Sequence, residues 1–305
     1  MKTQLTPQQQ ESVKMPGIGG STIANILGIG YDSPLNEYNR ILHPETRPDL
    51  SENPYVRAGI YLEPVIRQMA EDVFNIPVRL CNITRYHPDY PNFRANVDGK
   101  IKGRFEGIEF KNRGHWQGSK YGQQETDEVL DCELCQCLWY LGITGWQRWH
   151  LIVLIGGFDL RHFVIERDEE MIKVIFEKAR YFWEENVLKK VPPAPTTLSD
   201  LKQLYPSDNG QSIVATPDIE HIVEALKTAK DIEKIAAGNV DGLELELKSF
   251  IGNNTTLVDG TGQTLATWKA QTTNRIDCTQ FKKSLPDIAA QFTKSSESRV
   301  LRLKS

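Results

Sequence analysis

NVDGKIKGRFEGIEFKNR, residues 96–113, is the stretch that decides the fold. It predicts two strands that fold back on each other about Gly103. Side chains alternate between the two faces of a strand, so Glu109 and Lys111 share one face while the apolar residues beside them point into the core. The fold-back also brings Asp98 near Glu109. The stretch therefore gathers two carboxylates and a lysine around one tight turn.

Such a gathering of charge can be a metal site or a solvated hairpin. Two neighbouring carboxylates repel each other unless one is protonated or a cation lies between them, and hard oxygen ligands suit Mg2+ or Mn2+. The carbonyl of Phe110 would be a further oxygen ligand, and Lys111 could orient or deprotonate water or steady the charge on a phosphate. On the other interpretation, Asp98-Gly99 is an ordinary turn and Glu109 with Lys111 an ordinary surface pair.

Charge around this turn is locally basic, although the 305-residue chain carries a net charge of -4. The acidic balance excludes a protein that coats nucleic acid with positive charge over its whole surface. A basic strip around an acidic pair suits a phosphate backbone held over a metal site, or else a solvated hairpin face. The basic residues of the strip are Arg79, Arg85, Arg94, Lys100, Lys102, Arg104, Lys111 and Arg113.

The cysteines and apolar runs bear on the compartment. Five cysteines is an odd number, and the N-terminus shows no signal-peptide pattern, so reduced thiols in a cytoplasmic compartment are expected. No apolar run is long enough to span a bilayer, so no membrane association is expected. Cys132, Cys135 and Cys137 fall on one predicted helix, where we expect buried, inert thiols rather than cluster ligands.

Helices and strands alternate along residues 1–190. Apolar residues at helical spacing predict a helix that ends at Phe74 and others over 127–142 and 168–189. Two strands are predicted on either side of Gly156-Gly157. This order indicates an α/β fold with a central mixed sheet flanked by helices.

The prolines of VPPAPTT, residues 191–197, predict a linker. Residues 198–305 would then form a smaller C-terminal α+β unit. A coiled-coil-like pattern predicts a helix from Pro217 to about Phe250, and a hairpin is predicted to turn at Asp259-Gly260. A final strand is predicted over SRVLRLK, residues 298–304.

Five segments follow one another in a characteristic order: GIGGSTIANILGI, RAGIYLEP, NVDGKI, IEFKNR and CQCLWYLGITG. The order and spacing resemble those of the YqaJ-like branch of phage recombination nucleases, which includes the lambda-type exonuclease and belongs to the PD-(D/E)-x-K superfamily. The resemblance covers about residues 14–190. It implies a restriction-endonuclease-like core for the nuclease domain, residues 1–190.

The resemblance also implies roles for single residues. Asp98, Glu109 and Lys111 match the superfamily motif, with Val97 where the superfamily name has proline. Glu63, in the segment LEP, would join the metal site, which is expected to hold two Mg2+ or Mn2+ ions. Gln136 would help to orient water or substrate near the metals.

A 5'-phosphate site is implied at the glycine-rich turn 17–20. Ser21 would supply a hydroxyl and the following helix start its backbone N–H groups, although Ser21 could equally be a plain N-cap. Lys14 stands where many family members have arginine, and it lacks the bidentate fork of that residue. Gly20 and Tyr140 complete the expected DNA-binding set, with Tyr140 one helical turn after Gln136 on the same face.

The implied activity is a Mg2+-dependent 5'-to-3' exonuclease on linear double-stranded DNA that leaves 3' single-stranded tails. Family members act with a single-strand annealing protein and form rings, typically trimers, so both are expected partners. One alternative is a structure- or site-specific endonuclease with the same core. Another is a non-catalytic DNA-end adaptor for an annealing protein.

Overall fold

The computed structural model describes residues 17–47, 49–81, 83–295 and 297–304. The predicted phosphate ligand Lys14 lies outside these residues. The chain divides into two compact units, Met1–Leu204 and Tyr205–Ser305. Each unit has its own set of helices and strands.

The first unit contains both short and long strands. Their bounds are β1 Ile18–Gly19, β2 Val78–Leu80, β3 Arg85–Tyr86, β4 Phe93–Ala95, β5 Gly99–Ile101, β6 Glu106–Arg113, β7 Arg148–Ile155 and β8 Asp159–Glu166. Its helices are α1 Gly20–Ile26, α2 Pro34–Leu42, α3 Pro54–Phe74, α4 Asp131–Thr144, α5 Glu169–Tyr181 and α6 Leu198–Leu204. Short 3-10 helices span Pro44–Thr46 and His115–Lys120, and a π-helical segment, Phe182–Leu188, follows α5.

A mixed sheet forms the centre of the first unit, in the order β2-β5-β6-β7-β8. Strands β6 and β7 run parallel from Glu106 beside Arg148 to Arg113 beside Ile155, whereas the other neighbours in this sheet are antiparallel. A smaller sheet, β1-β4-β3, pairs Gly19 with Arg94. The predicted α/β class with a central mixed sheet is confirmed.

Both faces of the central sheet are buried, which is why β7, RWHLIVLI, reads as a nearly continuous apolar run. Strand β6 instead alternates apolar side chains with polar ones. On one face, Ile108 and Phe110 pack with Ile66 and Ala70 of α3. On the other, Trp149 and Leu151 join a larger core that contains α4. Side chains of β6 therefore alternate between the α3 side and the α4 side of the sheet. Its polar side chains lie between the sheet and one of these helices.

Helix α3 has clear signals at both ends. The side chain of Asn53 accepts hydrogen bonds from the backbone N–H groups of Tyr55 and Val56, and Pro54 occupies the first turn. Asn75 ends the helix in the left-handed conformation with φ 53°. The helix continues through Pro64, so the predicted helix ending at Phe74 is confirmed and Glu63 lies near its middle.

The boundary between the units falls after Leu204, so residues 198–204 belong to the first unit rather than to the C-terminal unit in which the sequence placed them. The reason is Asp200, which is fully buried. Its carboxylate accepts hydrogen bonds from the Ser33 hydroxyl at 2.7 Å and from the backbone N–H of Thr197 at 3.0 Å. These bonds attach α6 to the N-terminal part of the unit. Residues 191–197 themselves form neither helix nor strand.

The second unit contains α7 Pro217–Ile251, the hairpin β9 Thr256–Val258 and β10 Thr264–Thr267, and two short helices, α8 Cys278–Ser284 and α9 Pro286–Gln291. The predicted long helix and hairpin are confirmed. The predicted strand over 298–304 is wrong: those residues are irregular, and Val300 and Leu301 are exposed instead of packed on a sheet. None of the helices in the described part of the chain combines the length and apolar character that a membrane span needs.

Candidate active site

Asp98 lies where the chain enters β5, beside the backbone of β6. Its Oδ2 accepts a hydrogen bond from the backbone N–H of Phe110 at 2.9 Å. The last paired residues of the two strands are Gly99 and Ile108, so β6 continues past the end of β5 at this point. The hairpin predicted about Gly103, where φ is +78°, thus delivers Asp98 to the exposed edge of the central strand.

Glu109, Lys111 and Gln136 form a hydrogen-bonded group on the α4 side of β6. Lys111 Nζ donates to Glu109 Oε1 at 2.6 Å and to Gln136 Oε1 at 2.9 Å. The Gln136 amide in turn donates from Nε2 to Glu109 Oε1 at 2.7 Å. Two residues of one strand and one residue of the facing helix therefore hold each other in fixed positions.

Glu63 faces the same group from α3. Burial raises its pKa, and the negative charge of Glu109 raises it further, while the positive charge of Lys111 opposes the shift. The pKa of Asp98 is raised well above its ordinary value by burial and then by the charges of Glu109 and Glu63. The three carboxylates therefore share one electrostatic site, although each comes from a different element.

Lys111 neutralises only part of this negative charge. Burial favours its neutral form, but Glu109 and Asp98 outweigh burial and raise its pKa to about 12. The amine therefore stays protonated at neutral pH. Besides this ammonium, the Arg67 guanidinium also acts on Glu63, and these two cations against three carboxylates leave the site acidic.

The chemistry of this site fits a divalent cation. Glu109 is 4% exposed, and its Oε2 is buried with no hydrogen-bond partner among the described residues. A buried carboxylate oxygen without a partner is costly unless a cation or proton satisfies it. Clustered carboxylate oxygens short of positive charge are the ligands that Mg2+ and Mn2+ prefer.

The side chains would have to reorient to hold such an ion. In the described residues, no group of three or more His, Cys, Asp or Glu side chains is arranged so that it could hold a metal ion as it stands. Phe110 offers an oxygen from the backbone instead. Its N–H points at Asp98, and the N–H and C=O of a strand residue point to the same side, so its carbonyl is expected on the Asp98 side as well.

Tyr140 joins this group to the glycine-rich turn. Gln136 Nε2 lies 3.0 Å from the Tyr140 hydroxyl, as their helical spacing predicts. A methyl group placed on Gly20 would lie 2.3 Å from the Tyr140 ring, so only glycine fits there. Contacts therefore run without a break from Lys111 through Gln136 and Tyr140 to the backbone of Gly20.

The start of α1 corrects one prediction. Ser21 does not cap the helix: the Thr22 hydroxyl accepts from the Gly19 N–H and donates to the Gly19 carbonyl, both at 3.0 Å. Ser21 lies inside the first turn of α1 and is exposed. The alternative that made Ser21 a plain N-cap is therefore wrong.

Arg94 is a residue whose position the sequence did not reveal. A methyl group placed on Gly17 or Gly19 would lie 3.7 Å from Arg94 Nη1 or 3.9 Å from Arg94 Nε, so the guanidinium runs along the glycine-rich turn. Its pKa is lowered by burial and then by the positive charge of Arg47. The Arg94 guanidinium thus lies beside the glycine-rich turn, with Arg47 close enough to interact with it. The pairing of β1 with β4, which no local pattern predicted, is what brings Arg94 there.

Arg113, in contrast, has a structural partner. Its Nε and Nη2 both donate to Glu133 Oε1, and the Tyr121 hydroxyl lies 3.0 Å from each Glu133 oxygen. This group ties the end of β6 to the start of α4. Since Arg104 also pairs with Glu106, part of the predicted basic strip is neutralised within the fold.

The cysteines on α4 are predicted to be buried, inert thiols rather than cluster ligands. Cys135 and Cys137 are buried, and burial raises the pKa of both thiols, that of Cys135 to about 12. Cys132 is half-buried. Protonated, enclosed thiols of this kind are weak nucleophiles and poor metal ligands.

Together, the fold and the site define an α/β protein with an acidic-lysine cluster on the central strand of a mixed sheet. Residues 11–147 match the family model of the YqaJ-like viral recombinase domain. The chain is also 28% identical over 309 residues to a Bacillus subtilis (strain 168) protein described as uncharacterized protein YqaJ, across 94% of this chain and 91% of that protein. Residues 11–147 are thus similar to the YqaJ-like viral recombinase domain, and the predicted resemblance is confirmed.

Two solved structures are similar to part of this chain. An alkaline exonuclease (LHK-Exo) from Laribacter hongkongensis superposes with a TM-score of 0.49 at 18% identity, over 64% of this chain and 97% of that chain. A phage-related exonuclease from Haemophilus somnus 129PT superposes with a TM-score of 0.43 at 11% identity, over 59% of this chain and 99% of that one.

Proposed function

We propose that the protein is a metal-dependent exodeoxyribonuclease that degrades linear double-stranded DNA in the 5'-to-3' direction and leaves 3' single-stranded tails. The observation that carries the proposal is the meeting of Glu63, Asp98, Glu109, Lys111 and Gln136, which come from α3, the β5 entry, β6 and α4. A solvated hairpin would not bring these five residues together around a buried Glu109 and a buried Gln136. The cluster has the composition that phosphodiester hydrolysis requires.

The carboxylates would hold the cation. Asp98, Glu109 and the Phe110 carbonyl would hold one Mg2+ or Mn2+ ion, and Glu63 with Asp98 would help to hold a second. Bound there, the ions would supply positive charge to the scissile phosphate and lower the pKa of water. The unsatisfied Glu109 Oε2 and the raised pKa of Asp98 support this assignment.

Lys111 would act as a fixed positive charge. Because its pKa is raised to about 12, the amine stays protonated at neutral pH and has no lone pair with which to take a proton from water. As an ammonium it would instead stabilise the charge that grows on the phosphate oxygens. Gln136 would orient this ammonium, since the side-chain carbonyl of Gln136 accepts the second Lys111 hydrogen bond. These roles narrow the choice between deprotonation and charge stabilisation that the sequence left open.

The polarity of degradation would come from the glycine-rich turn. Ser21 and the Gly20 backbone, with Arg94 alongside, would bind the terminal 5'-phosphate. The continuous contact through Tyr140 would keep that phosphate at a fixed separation from Lys111. Each cut leaves a new 5'-phosphate that the turn could bind again. An annealing protein would then take up the 3' tail, and copies of the chain would enclose the duplex as a ring, as the family resemblance implies.

The proposal is tested with 5'-phosphorylated linear duplex, Mg2+ and four samples: wild type, Asp98→Ala, the matched variant Asp89→Ala, and wild type in chelator. Asp89 is an exposed aspartate in the same basic strip. Wild type and Asp89→Ala should release nucleotides at similar rates, whereas Asp98→Ala and the chelated sample should be inactive. Digestion that survives Asp98→Ala would contradict the site.

Two further substrates separate the alternatives. Closed circular duplex should resist the enzyme, since an exonuclease needs an end; its cleavage would favour the endonuclease. A duplex labelled at either the 5' or the 3' end reports polarity. Divalent-metal binding without cleavage of any substrate would favour the DNA-end adaptor.

A further inference from the structure

Helix α7 of the second unit carries an apolar seam that the chain itself leaves open. Starting at Ile219, seam positions recur at alternating intervals of three and four residues as far as Phe250, which is the heptad spacing of a coiled coil. The seam residues are Ile219, Ile222, Leu226, Ala229, Glu233, Ala236, Val240, Leu243, Leu247 and Phe250. All are exposed except Leu226, which is half-buried.

The seam is large enough to drive association. At 1.5 Å per residue it is about 47 Å long. Apart from Leu226, its larger side chains expose from 41% of their surface at Leu247 to 78% at Phe250. Covering such a seam with a second helix would remove on the order of 1,500 Å² from water, which is the size of a stable protein interface. An open apolar surface of this extent on a helix indicates a binding surface.

The order of residues along the seam favours a second copy of this chain, aligned antiparallel. A two-fold interface places residue i against residue j and j against i. Centred between Lys234 and Ile235, an antiparallel pair places large side chains against large ones at both ends. The layers are Ile219 with Phe250, Ile222 with Leu247, Leu226 with Leu243, Ala229 with Val240, and Glu233 with Ala236.

Glu233 decides the orientation. It is the charged residue in the seam, and a parallel pair would place it against its own copy, where two like charges repel. The same parallel pair would stack Ala229 on Ala229 and Ala236 on Ala236, which leaves the middle of the seam poorly filled. In the antiparallel pair each Glu233 faces the small Ala236, beside which its carboxylate can reach solvent.

We therefore propose that α7 is a self-association surface, through which two copies of this chain pair as an antiparallel two-helix coiled coil. The surface does not depend on the proposed nuclease activity. It would join two copies at their second units, independently of any ring formed by the first units.

The orientation is tested by cross-linking full-length chains in a Cys278→Ser background, which removes the exposed native thiol. Chains with Ile222→Cys and chains with Leu247→Cys, carrying tags of different size, are mixed, allowed to exchange and oxidised. The antiparallel pair predicts a mixed cross-link and no cross-link within either variant, because its two identical positions lie about 37 Å apart along the helix. Self-cross-linking of each variant alone would overturn the proposal.

The seam is tested by light scattering on two matched variants. Leu243 and Leu245 are each 68% exposed, but Leu243 lies in the seam and Leu245 on the opposite side of the helix. Leu243→Glu should lower the assembly mass, ultimately by half, whereas Leu245→Glu should keep the wild-type mass. Equal masses for wild type and Leu243→Glu, or equal loss in both variants, would overturn the proposal, as would binding of α7 to a different protein without self-association.

Discussion

Strand β6 carries two buried polar groups on its opposite faces, and they are built differently. On the α3 side, His150 uses both ring nitrogens, contacting Glu106 Oε2 at 3.0 Å and His162 Nε2 at 2.9 Å. On the α4 side, Glu109 Oε2 has no hydrogen-bond partner in the described part of the chain, and Glu109 faces two further carboxylates. The histidine group is satisfied by the fold alone, whereas the acidic group needs a cation or proton that the described residues do not supply.

The difference separates a structural polar group from a functional one. Both are buried between the same sheet and a flanking helix, so burial by itself distinguishes neither. What differs is the balance of charge and hydrogen bonds. A group whose hydrogen bonds are all made stabilises the fold, whereas a buried group without a partner destabilises it until a ligand binds there.

The largest effect is expected from removing the ammonium of the acidic group. Lys111→Met should lower the rate of linear-duplex digestion by about 1,000-fold, equivalent to roughly 4 kcal/mol of barrier, because the developing phosphate charge loses its fixed counter-charge. Initial rates on end-labelled duplex measure this. Lys102→Met, on the exposed part of the β5–β6 hairpin, is the matched control and should stay within a few-fold of wild type. A Lys111→Met enzyme that keeps a tenth of wild-type activity would refute the role.

The histidine group should instead govern acid stability. Burial, and then the neighbouring His150, lower the pKa of His162 to about 4. A histidine whose folded pKa lies below its unfolded value of about 6.5 contributes stability above that value, and this is lost as the pH falls from about 6.5 toward 4. We expect a loss on the order of 2–3 kcal/mol.

Urea unfolding across that pH range, in wild type and His162→Gln, measures the contribution as the difference between the two curves. The difference should change with pH for His162→Gln and stay flat for His43→Gln, which alters an exposed histidine. Cleavage by folded His162→Gln should match wild type. Parallel curves for wild type and His162→Gln would contradict the assignment.

The contribution of Asp98 to stability should depend on pH with the opposite sign. Its pKa is raised above the ordinary value of about 4, so the folded state favours the protonated form, and stability falls as the pH rises through and above that ordinary value. In chelator at neutral pH, Asp98→Asn should therefore stabilise the protein by about 1 kcal/mol, since the amide oxygen can still accept from Phe110 N–H without the charge. Thermal unfolding at pH 7.5 and pH 3.5 measures this, and the advantage should shrink at the lower pH. Destabilisation at pH 7.5 would contradict carboxylate repulsion.

The smallest effect is expected at Tyr140. Tyr140→Phe keeps the ring against Gly20 but removes the hydroxyl that lies 3.0 Å from Gln136 Nε2. Activity should fall only a few-fold, about 0.5–1.5 kcal/mol for one neutral hydrogen bond. Gly20→Ala, whose added methyl would overlap the ring, should cost more. A larger loss in Tyr140→Phe than in Gly20→Ala would show that the hydroxyl, and not the packing, carries the connection.

Local periodicity predicts the pairs within the acidic group, and only the family resemblance joins those pairs into one site. Alternation along β6 placed Glu109 and Lys111 on one face, and the four-residue interval placed Gln136 and Tyr140 together on α4. The spacing between Glu63 and the other residues of the acidic group carries no such signal, and only the family resemblance joins Glu63 to that group. The histidine group was missed because its members lie on three segments whose contact depends on strand register.

Other features depend on distant contacts that sequence patterns do not reveal. Arg94 reaches the glycine-rich turn only because β1 pairs with β4. Asp200 holds α6 to the first unit through Ser33, so the proline-rich segment does not mark the boundary. The apolar alternation of residues 298–304 indicated a strand, but a strand also needs a neighbour with which to pair, and this segment has none among the described residues.

Divalent-cation binding by calorimetry tests the central claim most directly, with Glu109→Gln and Glu106→Gln as matched variants on opposite faces of one strand. Wild type and Glu106→Gln should bind Mn2+ with the same stoichiometry and similar affinity, because Glu106 belongs to the satisfied histidine group. Glu109→Gln should bind at least tenfold more weakly, a difference of about 1.4 kcal/mol or more. Equal binding by both variants, or no binding by wild type, would contradict a cation site on the α4 face of β6.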